Sequence, residues 1–288
     1  MHPSTMQKVN YLNVGCGRKF HPAWTNVDMT SSSPHVDAHN LLNGFPYPDG
    51  QFDVVYHSQV LEHIPKDKAP GFLRECRRVL KPGGVLRVVV PDLENIAIEY
   101  LRHLRENIER PTAVSAANYD WIMLELFDQT VRDRPEGEMG DFLKQPALPN
   151  EDYIVERIGH VGRSIIERGR RAGGNGAGAD ARPAPLFDRL RRVTPGRLAS
   201  HLRVRLRDKL GSEALRIGTF RLSGEIHMWM YDRYSLARLL SEVGFLNVRQ
   251  VDAHSSSIPD WAAYELDVKA GAVFDPTSLF MEAQRPAV

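Results

Sequence analysis

Two glycines separated by one residue, Gly15 and Gly17, follow the apolar stretch YLNV near the start of the chain. Glycine permits positive φ and lets another group approach the backbone closely, so a Gly-x-Gly after a strand is typical of a turn that contacts a ligand. An acid, Asp28, lies near the end of the next apolar stretch, TNVDM. A dinucleotide site would need a third glycine three residues after the second, but Phe20 stands there. This spacing disfavours a pyrophosphate and leaves a nucleoside as the better candidate ligand.

Three later segments carry side chains that could accept a proton or orient an acceptor. They contain His227 in GEIHMWMYD, His63 in LEHIP and Asp92 in VPDLE. If the first segment is extended, His227, Trp229 and Tyr231 share one face. Each candidate has an ordinary alternative. Either histidine can simply pack against its neighbours, and Asp92 can cap the following helix.

Strands and helices alternate in the parts of the chain that must position these residues. KVNYLNV, TNVDM, FDVVY and VLRVVVP predict strands, and KAPGFLRECRRVL predicts a helix that ends at LKPGG. This alternation predicts an α/β fold with a doubly wound, mostly parallel, Rossmann-like sheet. Ligands bind such sheets at the carboxyl ends of the strands, where Gly15, Asp28, His57 and Asp92 are expected.

The alternation stops near residue 98 and resumes near residue 222. We therefore expect a sheet domain made of residues 1–98 and 222–288, with a helical, partly flexible insertion over 99–221. Within the insertion, residues 117–131 and EDYIVERIGHVGRSIIERGRR have helical patterns, and the low-complexity run 169–185 is expected to be mobile. Beyond it, DRYSLARLLSEVGF predicts a helix capped by Asp232 and ended by Gly244, and LNVRQV and SLFMEAQ predict the last strands.

The overall charge gives no sign of a polyanion partner. The 288 residues contain 37 Lys and Arg against 36 Asp and Glu, a formal net charge of +1. No aromatic-interleaved basic groove is evident, so nucleic acid is not expected. Two cysteines make no disulfide framework, and the N-terminal residues have no apolar leader pattern, which together predict a cytoplasmic protein.

The histidine spacing does not predict a metal requirement. Only His35 and His39 have the H-x-x-x-H spacing of two ligands on one helix face. Their segment, HVDAH, has the pattern of a loop and lacks the glutamate of H-E-x-x-H. Solvated loop histidines are therefore expected.

Taken together, the motifs LNVGCG, NVD, FDVVYHSQVLEHIP and RRVLKPGGVLRVVVPD resemble the class I S-adenosylmethionine-dependent methyltransferases. The resemblance covers about residues 9–98 and, more weakly, 224–286. It implies S-adenosylmethionine as the cofactor. Two positions depart from the family pattern: Lys19 stands where a third glycine is usual, and Asn13 stands where an acid is often found.

The resemblance also implies roles for individual residues. The turn of Gly15, Cys16 and Gly17 would lie against the methionine part of the cofactor, and the carboxylate of Asp28 would accept hydrogen bonds from both ribose hydroxyls. The Asn13 amide would offer its carbonyl to the ammonium group. The remaining cofactor-contacting residues implied are Asn40 and Leu41 at the adenine, and His57 beneath the sulfonium. The segment of His227 would face the acceptor and supply a base or orienting residue, with His63 and Asp92 as further catalytic candidates.

The acceptor is less well defined than the cofactor. The insertion resembles those of methyltransferases that accompany glycosyltransferases in glycan and glycolipid synthesis, which implies O-methylation of a sugar hydroxyl. Methylation of a small secondary metabolite on N or O, and a non-catalytic scaffold, are the alternatives. The basic segment 187–221 has three interpretations: it contacts an anionic membrane surface, making the protein peripheral there, it contacts an acidic substrate, or it is a solvated helix. A homodimer formed by the apolar helix near Trp121 and Phe127 is a further expectation.

Overall fold

One seven-stranded sheet organises the computed structural model, which describes residues 10–174 and 213–287. The strands of the described residues are β1 Tyr11–Val14, β2 Thr25–Asp28, β3 Asp37–Ala38, β4 Phe52–Ser58, β5 Leu80–Pro91, β6 Leu246–Val251, β7 Val268–Lys269, β8 Ala272–Val273 and β9 Ser278–Gln284. The sheet order is β3-β2-β1-β4-β5-β9-β6, and β7 pairs with β8 separately. Strands β1 to β5 are mutually parallel, whereas β9 runs antiparallel to β5 and β6. The expected mostly parallel α/β fold is confirmed.

Helices cover the sheet and build a cap at one edge. They are α1 Ala69–Val79, α2 Leu93–Glu109, α3 Ala113–Val131, α4 Gly137–Leu143, α5 Glu151–Gly174, α6 Glu213–Arg221 and α7 Arg233–Glu242. The helix predicted in KAPGFLRECRRVL is confirmed, although it ends at Val79 and Leu80 already belongs to β5. The predicted capping of α7 is also confirmed: Asp232 Oδ1 accepts a hydrogen bond from the Ser235 amide at 2.8 Å.

The motif residues lie at the carboxyl edge of the sheet because parallel strands end on the same side. Gly15 directly follows β1, Asp28 and Ser58 end β2 and β4, and Asp92 follows β5. The register keeps these ends together, since Val14 pairs with Val27 and Ser58 with Val89.

A buried ionic cluster supports the middle of the sheet. Arg87 of β5 is fully buried, and its guanidinium binds Asp267 at 2.8 Å and Glu282 at 3.0 Å. It also donates to the backbone carbonyls of Asp252 and Ser255. A charge buried this deeply is tolerated only because its donors are paired.

The cap consists of α2 to α5 and has an apolar centre of its own. Its buried residues are Trp121, Leu143, Leu148, Ile154 and Ile166. The helices predicted over 117–131 and in EDYIVERIGHVGRSIIERGRR correspond to α3 and α5. Trp121 is fully buried within its own chain, so of the two residues expected at a dimer contact only Phe127 is exposed. The homodimer stays a prediction.

Helix α5 bends at Gly159, where the cap touches the loop before β9. Gly159 has φ of +56°, and a Cβ there would lie 2.7 Å from the Phe274 carbonyl oxygen. Glycine is therefore required by both conformation and space. Thr277 stabilises this contact between α5 and the loop before β9, because its hydroxyl donates a hydrogen bond to the Arg157 carbonyl at 3.0 Å.

The chain leaves the sheet for the cap and returns from it at neighbouring points. Asp92 precedes α2 and Tyr231 precedes α7, and the two form an isolated parallel bridge. The Leu93 amide donates to the Tyr231 carbonyl at 2.9 Å. The start of α2 and the start of α7 are therefore held side by side.

Two sequence expectations need correction, and others lie outside the described residues. The HVDAH segment contains the two-residue strand β3 rather than a continuous loop. Helix α5 extends to Gly174, so residues 169–174 of the low-complexity run are helical. The remainder of that run, and the basic segment up to residue 212, lie outside the described ranges. No helix in the ranges 10–174 and 213–287 is long and apolar enough to cross a membrane.

Candidate active site

A cavity of about 370 Å³, which we name the sheet-edge cavity, opens at the carboxyl ends of β1, β2 and β4. Its lining residues are Gly15, Asp28, Met29, His39, Asn40, Leu41, Leu42, Gln59, Val60, His63, Ile64, Phe72, Ser223 and Gly224. The sequence predicted the presence here of Gly15, Asp28, Asn40 and Leu41. It missed Met29, Gln59, Val60 and Ile64. Three of these side chains are apolar and one is an uncharged amide, and none of them is by itself typical of a ligand site.

The glycine turn is shaped by two positive φ angles and by the packing of Val60. Gly15 has φ of +65°, and a Cβ there would approach Val60 Cγ2 to 2.4 Å. Gly17 has φ of +53°, but a Cβ there would meet nothing within 4 Å. The turn is therefore tightly packed beneath Gly15 and open above Gly17.

The Asp28 carboxylate is fixed by the turn and faces the sheet-edge cavity. Its Oδ2 accepts a hydrogen bond from the Gly17 amide at 2.8 Å, and its Oδ1 accepts one from the Thr30 amide at 3.4 Å. A carboxylate has about four lone-pair sites, so it can accept further hydrogen bonds from a ligand. Across the cavity, Asn40 caps the short 3₁₀ turn Leu41–Asn43 by accepting from the Leu42 amide.

Four other residues predicted at the cofactor do not line this cavity: Gly17 of the turn described above, Asn13, Cys16 and His57. Asn13 is buried, and its amide donates to the Lys19 carbonyl at 3.0 Å and to Asn26 Oδ1 at 3.3 Å. Cys16 is buried beside the turn, where desolvation raises the pKa of its thiol to about 12. His57 is fully buried behind Phe72, with the ring centroids 5.3 Å apart, so it lies one layer below the cavity wall rather than on it.

A second cavity of about 320 Å³, the cap cavity, lies between the sheet edge and helices α3 to α5. Its lining residues are Gln59, Pro91, Asp92, Ile96, Glu125, Gln129, Arg132, Glu136, Met139, Gly140, Leu143, Arg157, Ile158, Val161, Ile165, Glu225, Asp275, Thr277 and Ser278. Gln59 lines both cavities. Its φ of +56° is unusual for a residue with a side chain. Its side-chain amide nitrogen, Nε2, donates to Ser278 Oγ at 3.0 Å.

Carboxylates outnumber cations in the cap cavity, and both of its arginines are already paired. Arg157 binds Glu125 at 2.7 Å, and Arg132 binds Asp128 at 2.7 Å and Glu225 at 3.4 Å. The other lining acids Glu136 and Asp275 pair with Lys144 and Lys19, respectively. Asp92 is the lining acid that has no ion pair within the described part of the chain.

Asp92 is the predicted catalytic residue that reaches the cap cavity. Its Oδ1 caps α2 by accepting from the Glu94 amide at 3.0 Å. Burial raises the pKa of this carboxyl above its usual value, with backbone hydrogen bonds acting in the opposite direction. Asp92 can therefore cap α2 and contact an acceptor from the same position, because it lines the cap cavity while its Oδ1 holds the helix amide.

The two predicted histidines lie together, away from the cap cavity. Their ring centroids are 4.8 Å apart and nearly perpendicular, and only His63 lines the sheet-edge cavity. Burial lowers the pKa of His227 to about 3. The expectation that His227, Trp229 and Tyr231 share a face is wrong: Trp229 is 40% exposed and packs on Lys66, whereas the other two are buried.

Sequence reasoning missed Glu62, which lies beside these histidines. Glu62 is fully buried, and neither carboxylate oxygen has a hydrogen-bond partner among the described residues. Desolvation raises the pKa of Glu62 to about 8. His63 is its neighbour in the chain, but His227 comes from a segment more than 160 residues away.

Comparisons with known proteins find relatives for part of the chain. Residues 12–88 match the family model described as a methyltransferase domain. A probable S-adenosylmethionine-dependent methyltransferase of Mycolicibacterium smegmatis is 48% identical over 69 residues, covering 24% of this chain and 26% of that protein. A probable S-adenosylmethionine-dependent methyltransferase of Mycobacterium tuberculosis is 42% identical over 65 residues, covering 22% and 23%. Residues 12–88 are thus similar to a methyltransferase domain.

The matches to the curated relatives are short. The chain spans about a quarter of the length of the two curated relatives named above. Among solved structures, the DszA carbon methyltransferase is matched over 100% of this chain and 50% of its own, at 13% identity and a TM-score of 0.37.

The residues of the sheet-edge cavity fit the adenosine part of S-adenosylmethionine, the cofactor that the resemblance to methyltransferases implies. The Asp28 carboxylate has free acceptor sites for the ribose hydroxyls, and Asn40 and Leu41 border space for the adenine. The open position above Gly17 leaves room for the amino-acid part.

The two residues that depart from the methyltransferase pattern, Asn13 and Lys19, lie next to each other beside the glycine turn. Lys19 donates to Ser58 Oγ at 3.1 Å and pairs with Asp275 at 3.3 Å, while the carbonyl of its backbone receives the Asn13 amide. Lys19 thus joins the glycine turn to the end of β4 and to the loop before β9.

Proposed function

We propose that the chain transfers the methyl group of S-adenosylmethionine to a hydroxyl of a small, uncharged acceptor bound in the cap cavity, with a sugar hydroxyl as the acceptor group. One observation carries this proposal: Gln59 lines both cavities, so a donor in the sheet-edge cavity and an acceptor in the cap cavity meet at this residue. Methyl transfer requires such an end-to-end arrangement, because the attacking atom, the methyl carbon and the sulfur must lie in line.

The charges of the cap cavity support an uncharged acceptor. Both lining arginines are paired with carboxylates, and unpaired Asp92 adds a negative charge. A phosphate or carboxylate acceptor would meet this excess of acid unfavourably. Polar lining groups such as Gln129 and Thr277 can exchange hydrogen bonds with the hydroxyls of a sugar.

Methylation of an amine on a small metabolite is the second candidate. The same excess of carboxylates would attract a protonated amine, which must then lose its proton before it can attack. Tritium transfer from methyl-labelled S-adenosylmethionine to neutral glycosides and to amines distinguishes the two. Labelled glycosides support the first candidate and labelled amines the second; transfer to neither class contradicts both.

In this reaction Asp92 would remove the acceptor proton. The acceptor oxygen attacks the methyl carbon, the carbon–sulfur bond breaks, and S-adenosylhomocysteine leaves. Meanwhile the hydroxyl proton passes to Asp92, which lines the cap cavity and makes no ion pair there within the described ranges. His227 and His63 stay predictions for this role, but neither lines the cap cavity.

The Asp28→Asn variant tests the cofactor assignment. Charge-assisted hydrogen bonds contribute about 1.5–3 kcal/mol each, so losing the carboxylate is expected to weaken S-adenosylmethionine binding by about 10–100-fold. The measurement is isothermal titration calorimetry with S-adenosylmethionine and with S-adenosylhomocysteine. Asp67→Asn, an exposed acid outside the cavity, is the matched control and should bind as the wild type does. Equal affinity in both variants would remove Asp28 from the site.

A further inference from the structure

Two distant segments meet behind the wall of the sheet-edge cavity. One is the short 3₁₀ turn Leu61–His63 after β4, and the other is the stretch 224–231 before α7. The Met228 amide donates to the Glu62 carbonyl at 2.7 Å, and the His63 ring bonds the Ile226 carbonyl through Nδ1 at 3.0 Å. These contacts fix the relative positions of three side chains, those of Glu62, His63 and His227.

The polar atoms of these side chains lack ordinary partners. Both carboxylate oxygens of Glu62, and Nδ1 of His227, are buried without a hydrogen bond to any described residue. A buried polar group that is left unpaired carries a desolvation cost, and a carboxylate carries the larger one. Native proteins normally compensate the desolvation cost with a hydrogen bond to each buried polar atom. Within residues 10–174 and 213–287, no hydrogen-bond partner is present for these three atoms.

The arrangement has the chemistry of a metal centre. The three side chains each offer one ligand atom, and these atoms all lie within 4.8 Å of one another. His63 Nδ1 bonds a backbone carbonyl and so carries the ring proton, which leaves the Nε2 lone pair free, 3.9 Å from Glu62 Oε1. Ligating histidines are commonly oriented by such a bond from their other nitrogen.

We propose that Glu62, His63 and His227 bind one divalent transition-metal ion, with Zn²⁺ as the best match. Two imidazoles and one carboxylate are a ligand set of zinc sites that keep an open position. Tetrahedral zinc needs ligand atoms about 3.3 Å apart, so the side chains must close by roughly an ångström on binding. His63 also lines the sheet-edge cavity, which gives an ion a route to the site.

Metal binding would give His227 a task other than proton transfer. A ring nitrogen that coordinates an ion cannot accept a proton at the same time, which leaves that role to Asp92. The ion would also hold the stretch 224–231 against the turn after β4. None of the three ligands lines the cap cavity, so the metal site does not depend on the proposed acceptor.

The test is titration of the metal-free, full-length protein with Zn²⁺ by calorimetry, and with Co²⁺ by visible absorption, both without S-adenosylmethionine. We expect one ion per chain and a Co²⁺ spectrum of low-symmetry coordination. Glu62→Gln and His227→Gln should each weaken Zn²⁺ binding on the order of 100-fold. Glu106→Gln, which alters a carboxylate beside His103 on α2, is the matched control and should bind as the wild type does.

The wild-type titration decides the proposal even if a variant fails to fold. No saturable binding of Zn²⁺ or Co²⁺ at one ion per chain would overturn it. So would wild-type affinity in folded Glu62→Gln and His227→Gln, with folding checked by circular dichroism. Calorimetry with S-adenosylmethionine on the same metal-free sample separates this result from the cofactor assignment, because either binding reaction can be lost without the other.

Discussion

Asp92→Asn is expected to lower kcat by about 10²–10⁴-fold while leaving S-adenosylmethionine affinity unchanged, because a positioned general base contributes a factor of that size. Asparagine keeps the side-chain oxygen that caps α2 but cannot take up the acceptor proton. The measurement is the steady-state rate with the acceptor identified by tritium transfer, over a range of pH. In the wild type, the rate should fall at low pH as Asp92 becomes protonated, with a midpoint above the usual range of an aspartate. In the variant this acid limb should be absent.

Asp232→Asn provides the matched control for this experiment. Asp232 caps α7 with the same side-chain-to-amide hydrogen bond, but it lies outside the residues that line the cap cavity. Its variant should keep the wild-type kcat and an acid limb in the pH profile. The midpoint of that limb should move slightly downward, because the negative charge of Asp232 is one of the causes that raise the pKa of Asp92. A wild-type kcat in Asp92→Asn would refute the base assignment, and an equal loss of rate in both variants would trace the effect to helix capping.

Arg87→Met is expected to lower the free energy of unfolding by about 3–5 kcal/mol. Removing one partner of a buried ion pair leaves the other charge uncompensated, and here two carboxylates, Asp267 and Glu282, lose their shared guanidinium. The measurement is urea unfolding at neutral pH, followed by circular dichroism. Methionine fills much of the arginine volume, so the loss should reflect the charges rather than a cavity.

Arg249→Met is the surface comparison, because Arg249 also pairs with Glu282, at 3.0 Å, but is more than half exposed. Its loss should be at most about 1 kcal/mol. Combining Arg87→Met with Asp267→Asn and Glu282→Gln should recover part of the stability, since the orphaned charges are then removed. Similar small losses for Arg87→Met and Arg249→Met would show that the buried cluster contributes little.

The cofactor half of the site was predictable because its positions follow from strand order. A residue at the carboxyl end of a parallel strand lies at the carboxyl edge of the sheet, independently of how the connecting loops fold. The apolar runs alone therefore predicted that Gly15, Asp28 and Asp92 lie at this edge. The neighbours of a strand end are less predictable. His57 belongs to β4, but its side chain points into the core behind Phe72.

Contacts between distant segments could not be predicted. The meeting of Glu62 with His227, and of Lys19 with Asp275, depends on how irregular loops fold over the sheet edge, and no periodic pattern encodes that path. The stretch 224–231 illustrates the difficulty. Alternation of side chains holds only for an extended strand, and this stretch is not one, so Trp229 turns outward while His227 turns inward.

The backbone bond between Leu93 and Tyr231 bears on how such an enzyme can change its acceptor. The chain leaves the sheet for the cap and returns from it at adjacent points. The segment between Leu93 and Tyr231 is therefore a loop whose two ends are already held together at the sheet. The entropic cost of such a loop grows only slowly with its length. A cap of different size or shape can therefore replace this one without moving Gly15, Asp28 or the strand ends. We therefore expect the proposed methyl donor site and the proposed acceptor pocket to evolve at different rates.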